Sequence, residues 1–460
     1  MNDVKGKNVM IVGLGKVGVS LSRFLLSLGA NVTISDHKSP PELAYYLEQI
    51  DDLDINYDLG EHSLKLFLKQ DLLILSPGVS PDLKVIQYAK NNEVPIIGEM
   101  EFVSAFIQEP IIAVTGTNGK TTTVKLIRDF LHESNVKVWA GGNYGEPASA
   151  YLLSGKKADV VILEVSSFQL DMCKTFAPKT IVFTNLSENH LDRHKSFEAY
   201  VQAKKQIFVN NNVNTTCILN ADDANIVALA RDPIVYQKSI IFYFSTNPYF
   251  KQQIMTIGGV VKVGNELQIK ATPQLDFLSL EDIKLKGLHS VENIMAALLA
   301  AMEHGATMQA IKKVVSSFKG LPHRLEYVRR VGGVLFYNDS KATNVQAVKK
   351  ALNSFDENVI LVMGGKDTGL SYESLADDIK AKVKTLILVG EAKEKINRDL
   401  GGISETLIIG TFDEAVYTAY QKSRVGDTVL LSPGCASFDV FNSYAERGNH
   451  FKRMVNEFNA

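Results

Sequence analysis

The sequence is short of most features that would place it in a specialised class. Its three cysteines, Cys173, Cys217 and Cys435, are too few and too scattered for a disulfide framework or a thiolate zinc site, which fits a reducing compartment. Neither sign of charge is in excess. Forty-nine Lys plus Arg against 51 Asp plus Glu leave a formal net charge of −2, so nothing points to nucleic acid or to an anionic membrane surface. No apolar run is long enough to cross a bilayer, and "MNDVKGKNVMIVGLG" enters a strand without a leader-like apolar region. A cytoplasmic protein acting on small soluble ligands is therefore expected, and a monomer. No period of about 20 to 50 residues repeats, and no segment is of low complexity.

With 45% hydrophobic and 22% charged residues, the chain of 460 has the make-up of an ordinary globular protein. At roughly 150 residues per domain it has room for about three. Short apolar runs ending in Gly, Ser, Asp or Asn recur between helix-like segments: "NVMIV", "NVTIS", "DLLILS", "IIAVTG", "DVVILEV", "TIVFTN", "CILNAD", "NVILVMGG", "TLILVG" and "DTVLLSPG". Such runs suit parallel strands covered on both faces, so the fold class is α/β. Residues 238 to 285 alternate more and carry "GG" and "GN", which predicts a small antiparallel sheet inserted there. Helix-ending Gly and Pro signals at "PIIGEMEF" and "FKGLPHR" divide the chain into 1–98, 99–320 and 321–460.

In the first segment "VGLGKVG" follows a strand and opens a helix, with Gly13, Gly15 and Gly18 at the turn and Asp36 closing the next strand. That pattern suits a dinucleotide, another nucleotide or phosphate ligand, or a tight turn that binds nothing. "SPGVS" at 76–80 adds backbone amides at a neighbouring strand end. "TGTNGKTTT", residues 115–123, lacks the early glycine of the general phosphate loop, since Val114 holds that place and Gly116 is the nearest earlier glycine. Its strand-loop-helix setting still suits phosphate: the amides and helix N-terminus cradle oxyanions, Lys120 reaches the β/γ-phosphates and Thr121 offers a hydroxyl to Mg²⁺. The alternative is a glycine turn with a solvated lysine.

Glu164 ends the strand "DVVILEV", where a carboxylate needs a partner or a metal, and "TNLSENHLDRH" brings His190 and Asp192 to the end of the next. In "FEAYVQAKKQIF" a helix places Phe197, Tyr200, Val201 and Phe208 on one face with Lys204 in its midst, while Lys205 lies well round the cylinder. Such a lysine either snorkels to the edge or loses its proton on burial, leaving an amine able to act as a nucleophile or to take up CO₂ as a carbamate. The last third supplies "KGLHSVEN", "GLPHRLE", "YNDSKATN", "VMGGKD" and "SPGCASFDVF", cationic and hydroxyl groups at strand ends that suit phosphate and carboxylate ligands.

Together "TGTNGKTTT", "LEVSSFQL", "NHLDRH" with "AKKQIF", "GLPHRLE", "NDSKATN" and "LSPGCASFDVF" resemble the Mur ligases, ATP-dependent amide-forming enzymes of peptidoglycan precursor synthesis, over essentially the whole chain. The "DSKATN" and "SSFQL" forms resemble the branch that adds D-glutamate, and the D-N-P-R motif of the diamino-acid branch is absent. The resemblance implies an N-terminal Rossmann-like parallel sheet for the UDP-sugar, a central P-loop ATPase-like α/β domain with a small antiparallel sheet, and a C-terminal Rossmann-like α/β domain for the amino acid. It implies transfer of the γ-phosphoryl of ATP to the carboxylate of UDP-N-acetylmuramoyl-L-alanine, and displacement of phosphate by D-glutamate. ATP would be held by Thr115, Gly116, Thr117, Asn118, Gly119, Lys120, Thr121 and Thr122, with Asn293 at adenine, Arg324 at the γ-phosphate and Asp339 at the ribose. Two Mg²⁺ are implied, with Thr121, Glu164, His190 and a carbamylated Lys204 as metal ligands. Gly13, Gly15, Lys16, Val17, Asp36, Ser76, Pro77, Gly78 and Asn143 would serve the UDP-sugar. Lys341, Thr343, Lys366, Ser437 and the backbone around Tyr444 would serve D-glutamate or the transferred phosphate. Ser290 and Tyr444 depart from the family, which often has asparagine and phenylalanine there. Folylpolyglutamate synthases share the central logic but lack a UDP-binding first segment. A nicotinamide oxidoreductase leaves the ATP loop without a use, and a regulatory P-loop module leaves the last domain without one.

Overall fold

The structure, a computed structural model, describes residues 3–285, 287–367, 369 and 371–458, with only the backbone of Asp192. The chain folds into two compact units, 1–280 with 292–314, and 281–291 with 315–460.

The first unit holds two sheets. Five parallel strands, β1 (Asn8–Val12), β2 (Asn31–Asp36), β3 (Ile55–Leu59), β4 (Leu72–Leu75) and β5 (Ile96–Gly98), lie in the order β3-β2-β1-β4-β5. β4 is buried at every position, as a strand covered on both faces requires. The helix Lys16–Ser27 buries Leu21, Phe24 and Leu25, an i, i+3, i+4 stripe laid against the sheet. Phe24 also meets Phe106 edge-on at 5.2 Å, so the two sheets share core.

The second sheet has nine strands: β6 (Ile111–Thr115), β7 (Val138–Gly142), β8 (Val160–Glu164), β9 (Thr180–Phe183), β10 (Thr215–Asn220), β11 (Ser239–Ser245), β12 (Gly259–Val263), β13 (Glu266–Lys270) and β14 (Asp276–Ser279), in the order β14-β13-β12-β11-β10-β9-β6-β8-β7. The segment read as an inserted sheet is instead the edge of this one. β11 and β12 pair in parallel, and only β12/β13 and β13/β14 are antiparallel. "GN" is the expected hairpin turn, whereas "GG" ends the helix Lys251–Ile257, whose crossover lets β12 return parallel to β11.

The second unit carries β15 (Glu326–Val331), β16 (Val334–Asn338), β17 (Val359–Gly364), β18 (Val383–Val389), β19 (Glu405–Ile408) and β20 (Thr428–Leu431), in the order β15-β16-β20-β17-β18-β19, antiparallel only at β15/β16. The fold is thus three α/β domains: a parallel N-terminal sheet, a mixed central sheet and a C-terminal sheet. No helix among the described residues is long and apolar enough to cross a membrane.

Strand order reverses at β1/β4 in the first sheet, around β6 in the second and around β20 in the third. At such switch points adjacent loops diverge at the C-terminal strand ends and leave a crevice for ligands.

Candidate active site

The loop after β6 sits at the switch point of the central sheet. Gly116 has φ 138° and Gly119 φ 88°, both outside the range of L side chains. A Cβ on Gly116 would lie 2.1 Å from Thr184 Oγ1, and one on Gly119 2.2 Å from Asn293 Oδ1. The displaced first glycine is therefore required where it stands. Asn185, after β9, fixes the loop: its carbonyl accepts from Thr117 N (2.8 Å), its Oδ1 accepts from Asn118 N (2.8 Å), and its Nδ2 donates to Asn118 O (2.9 Å). Lys120 Nζ donates to Gly116 O at 3.0 Å and Thr117 O at 2.9 Å, and Thr122 is buried in the first turn of the helix Lys120–Glu133.

Glu164, at the end of β8, gathers the neighbours. Its Oε2 accepts from Thr121 Oγ1 at 2.7 Å and its Oε1 from Asn143 Nδ2 at 2.9 Å. Lys204 arrives from the helix Phe197–Lys205 and is 1% exposed. Its Nζ donates to Thr115 Oγ1 at 3.2 Å and Gly116 O at 3.0 Å. Burial first, and then the Lys120 ammonium, push its pKa well below the usual lysine range, against the pull of Glu164. Lys205, by contrast, pairs with Asp232. His190 caps the short helix Leu191–His194 at φ 52°, its ring 4.9 Å from that of Phe168. The Asp192 side chain lies outside the described residues. Among the described residues no three His, Cys, Asp or Glu side chains come together as a metal cage. Asn293 is buried, its Oδ1 3.4 Å from the Thr123 hydroxyl.

At the first switch point Ser76 Oγ donates to Gly13 O at 2.8 Å, joining the "SPG" turn to the glycine turn. Asp36 is buried, and its carboxylate accepts from Leu14 N (2.7 Å) and Lys38 N (2.9 Å), so it shapes the turn from beneath. Gly15 caps the helix Lys16–Ser27, Val17 and Pro77 are half-buried and Gly78 is exposed. Lys16 Nζ reaches Gly145 O and Glu146 Oε1, both at 2.9 Å, beside Asn143.

In the second unit Asp339 is buried after β16, its Oδ1 accepting from Leu325 N at 3.1 Å and its Oδ2 from Ser432 Oγ at 2.9 Å. Burial raises its pKa to about 7, against those hydrogen bonds and the neighbouring Arg324. Lys341 Nζ donates to Tyr444 OH at 3.0 Å and stands 4.2 Å from that ring. Lys366 pairs with Glu391 at 2.7 Å, and its backbone N donates to Ala436 O at 2.9 Å, beside the buried Ser437. Thr343 is half-buried two residues beyond Lys341. The sequence alone does not single out Asn185, Tyr200, whose hydroxyl meets Thr117 Oγ1 at 3.0 Å, or Arg447. Each acts on a loop distant in the sequence, and a polar residue in an ordinary run carries no local mark of such a contact.

Three family models tile the chain: "Mur ligase MurD-like, N-terminal domain" over 7–98, "Mur ligase middle domain" over 114–301 and "Mur ligase, glutamate ligase domain" over 323–435. The chain belongs to the Mur ligase family. A curated member from Bdellovibrio bacteriovorus, named UDP-N-acetylmuramoylalanine–D-glutamate ligase, is 59% identical over 457 residues, 99% of each chain. One of the same name from Geotalea daltonii is 43% identical over 98% of each chain. Among solved structures, a pseudomurein peptide ligase type C from Methanothermus fervidus aligns with TM-score 0.61 at 21% identity, over 98% of this chain and 100% of that one. A UDP-N-acetylmuramate-alanine ligase from Thermotoga maritima gives 0.60 at 18%, over 98% and 99%. The two solved structures show a common Mur ligase fold.

Proposed function

We propose that this chain is an ATP-dependent ligase that joins D-glutamate to the L-alanyl carboxylate of UDP-N-acetylmuramoyl-L-alanine, releasing ADP and phosphate, in cytoplasmic peptidoglycan precursor synthesis. The observation that carries the reading is a phosphate loop in which Thr121 meets Glu164 at 2.7 Å and the buried Lys204 amine reaches the Gly116 carbonyl at 3.0 Å. It stands in a chain aligned end to end with ligases named for this reaction.

A carboxylate is a poor electrophile. A bond from its oxygen to the γ-phosphorus, with cleavage of the bond to ADP, makes an acyl phosphate whose carbonyl carbon the glutamate amine attacks; phosphate leaves and the amine gives up a proton. Within the loop Thr115 to Thr122, whose Thr117 and Asn118 amides are bound by Asn185, the N-terminus of the helix Lys120–Glu133 and the Lys120 ammonium hold the transferring phosphates. Thr121 and Glu164 offer hard oxygens that would hold Mg²⁺, which when bound would supply charge neutralisation at the phosphates. His190 completes the proposed ligand set. A divalent cation held by Glu164 would want a second anion beside it. The Lys204 amine and CO₂ form a carbamate and release one proton, turning a potential cation into that anion.

In this reading Gly13, Gly15, Lys16, Val17, Asp36, Ser76, Pro77, Gly78 and Asn143 hold the sugar nucleotide. Asn293, Arg324 and Asp339 hold adenine, γ-phosphate and ribose, while Lys341, Thr343, Lys366, Ser437 and Tyr444 hold D-glutamate. The bodies 1–98, 99–320 and 321–460 act together in a monomer. The test is phosphate release from ATP with UDP-N-acetylmuramoyl-L-alanine and, in turn, D-glutamate, L-lysine, meso-diaminopimelate or no amino acid. Release is expected with D-glutamate alone, and equal release in all four would overturn the assignment.

A further inference from the structure

Arg447 lies on the helix Tyr444–Glu457 and is 2% exposed. Its guanidinium donates five hydrogen bonds: Nε to Ser340 Oγ (3.0 Å), Nη2 to Ser340 O (2.9 Å) and Cys435 O (3.0 Å), and Nη1 to Gly364 O (3.4 Å) and Ala436 O (3.3 Å). Those acceptors lie at or just beyond the C-terminal ends of β16, β17 and β20, the three strands that flank the switch point of the third sheet. Each stands one or two residues before one proposed to bind the amino acid: Ser340 precedes Lys341, Gly364 stands two before Lys366, and Cys435 and Ala436 stand two and one before Ser437. The links continue outward. Ser340 Oγ, which accepts from Nε, donates to Tyr444 O at 2.8 Å, and Lys366 N donates to Ala436 O at 2.9 Å.

All five acceptors are neutral, so this is not a buried ion pair. A guanidinium taken out of water costs more than an apolar side chain of similar volume would, and packing alone does not explain its presence. What an apolar residue cannot do is hold several carbonyls from three strands at fixed spacing. A lysine cannot either, because its donors radiate from a single nitrogen while the arginine fork spreads its five over a plane.

We propose that Arg447 is a positioning residue for the amino-acid substrate, its guanidinium setting the spacing of the three loops that carry Lys341, Thr343, Lys366 and Ser437. This rests on reading those four as the D-glutamate site. Arg447 touches no substrate itself and acts by pre-organising groups that do. Burial lowers its pKa only to about 10, so the fork stays charged at neutral pH.

The test compares R447K, S340A and S437A with the unmodified full-length protein in steady-state kinetics, varying D-glutamate, ATP and the sugar nucleotide in turn. R447K is expected to raise KM for D-glutamate by about tenfold or more while leaving KM for the sugar nucleotide within about twofold, a split that general loss of structure would not give. Hydrogen exchange should quicken together in 339–344, 364–366 and 433–437. S340A, which removes the Nε contact and the Ser340 Oγ bond to Tyr444 O but keeps the other four guanidinium bonds, should shift the same KM in the same direction by less. An unchanged KM for D-glutamate in R447K and S340A, with S437A raising it, would overturn the role of Arg447 and leave the site assignment standing. An unmodified protein whose phosphate release ignores D-glutamate would overturn both.

Discussion

At Lys204 an amine is 1% exposed with two neutral oxygens as hydrogen-bond partners, and burial together with the Lys120 ammonium outweighs the pull of Glu164, which makes it a poor place for a cation. If its task is to become an anion, a residue that can only be a cation must fail. Lys204→Arg is expected to keep the fold but lose at least about 100-fold of D-glutamate-dependent phosphate release, and native mass spectrometry should find one CO₂ on the unmodified chain and none on the variant. Near-full activity in Lys204→Arg would remove the lysine from the chemistry. A second buried group has a different consequence. Glu101 accepts from Lys174 N, Thr175 N and the Thr175 hydroxyl, whereas Glu99, 2% exposed, has no hydrogen bond to either oxygen among the described residues. Burial raises the Glu99 pKa from 4.5 to about 7, and the Gln169 side chain opposes the shift without reaching hydrogen-bond geometry. The folded protein therefore binds a proton that the unfolded chain releases: stability is full below pH 4.5 and falls as pH rises to about 7. Glu99→Gln has no such loss. It should match the unmodified protein at acid pH and exceed it by up to about 3 kcal/mol at pH 8, read from urea midpoints; parallel pH profiles would refute the assignment.

At the scale of elements, the phosphate loop shows how far local pattern reaches. Strand, loop and helix were legible because a continuous apolar run, a glycine pair and a lysine are all contiguous in "IIAVTGTNGK". Why Gly116 replaces an earlier glycine was not, since the reason is the approach of Thr184 and Asn185 from β9. The same limit explains the central sheet's edge: "GG" reads as a hairpin until the helix Lys251–Ile257 claims it. Lys204 was legible as a residue out of place on an apolar face, and its burial bears that out. Glu99 and Arg447 were not, because what distinguishes them is which distant atoms meet them. The loop supports a prediction of its own. Gly119→Ala would force a methyl to within 2.2 Å of Asn293 Oδ1 on backbone at φ 88°. ATP affinity should fall by about tenfold or more in calorimetric titration, with the helix Lys120–Glu133 retained; unchanged affinity would mean that the loop does not carry the nucleotide.

For the whole molecule, the order of the strands decides where chemistry can occur. Three sheets have three switch points, and the glycine turn with "SPG", the phosphate loop with Glu164, and the loops clipped by Arg447 each occupy one. The first two belong to one compact unit and the third to the other. Ligands should therefore be reported by different stretches of backbone. A ligand that binds only the folded state stabilises what it binds by RT ln(1 + [L]/Kd), about 2.7 kcal/mol at one hundred times Kd, so exchange gated by opening of that region should slow by up to about 100-fold. UDP-N-acetylmuramoyl-L-alanine alone is expected to protect amides of 13–18, 35–38 and 76–80 and to leave 433–437 unchanged. D-glutamate alone should protect 340–344, 364–366 and 433–437 and leave 13–18 unchanged. Hydrogen exchange by mass spectrometry separates the two patterns. Protection of both sets by the sugar nucleotide alone would mean that one ligand orders both units, and the assignment of separate substrates to separate switch points would have to be abandoned.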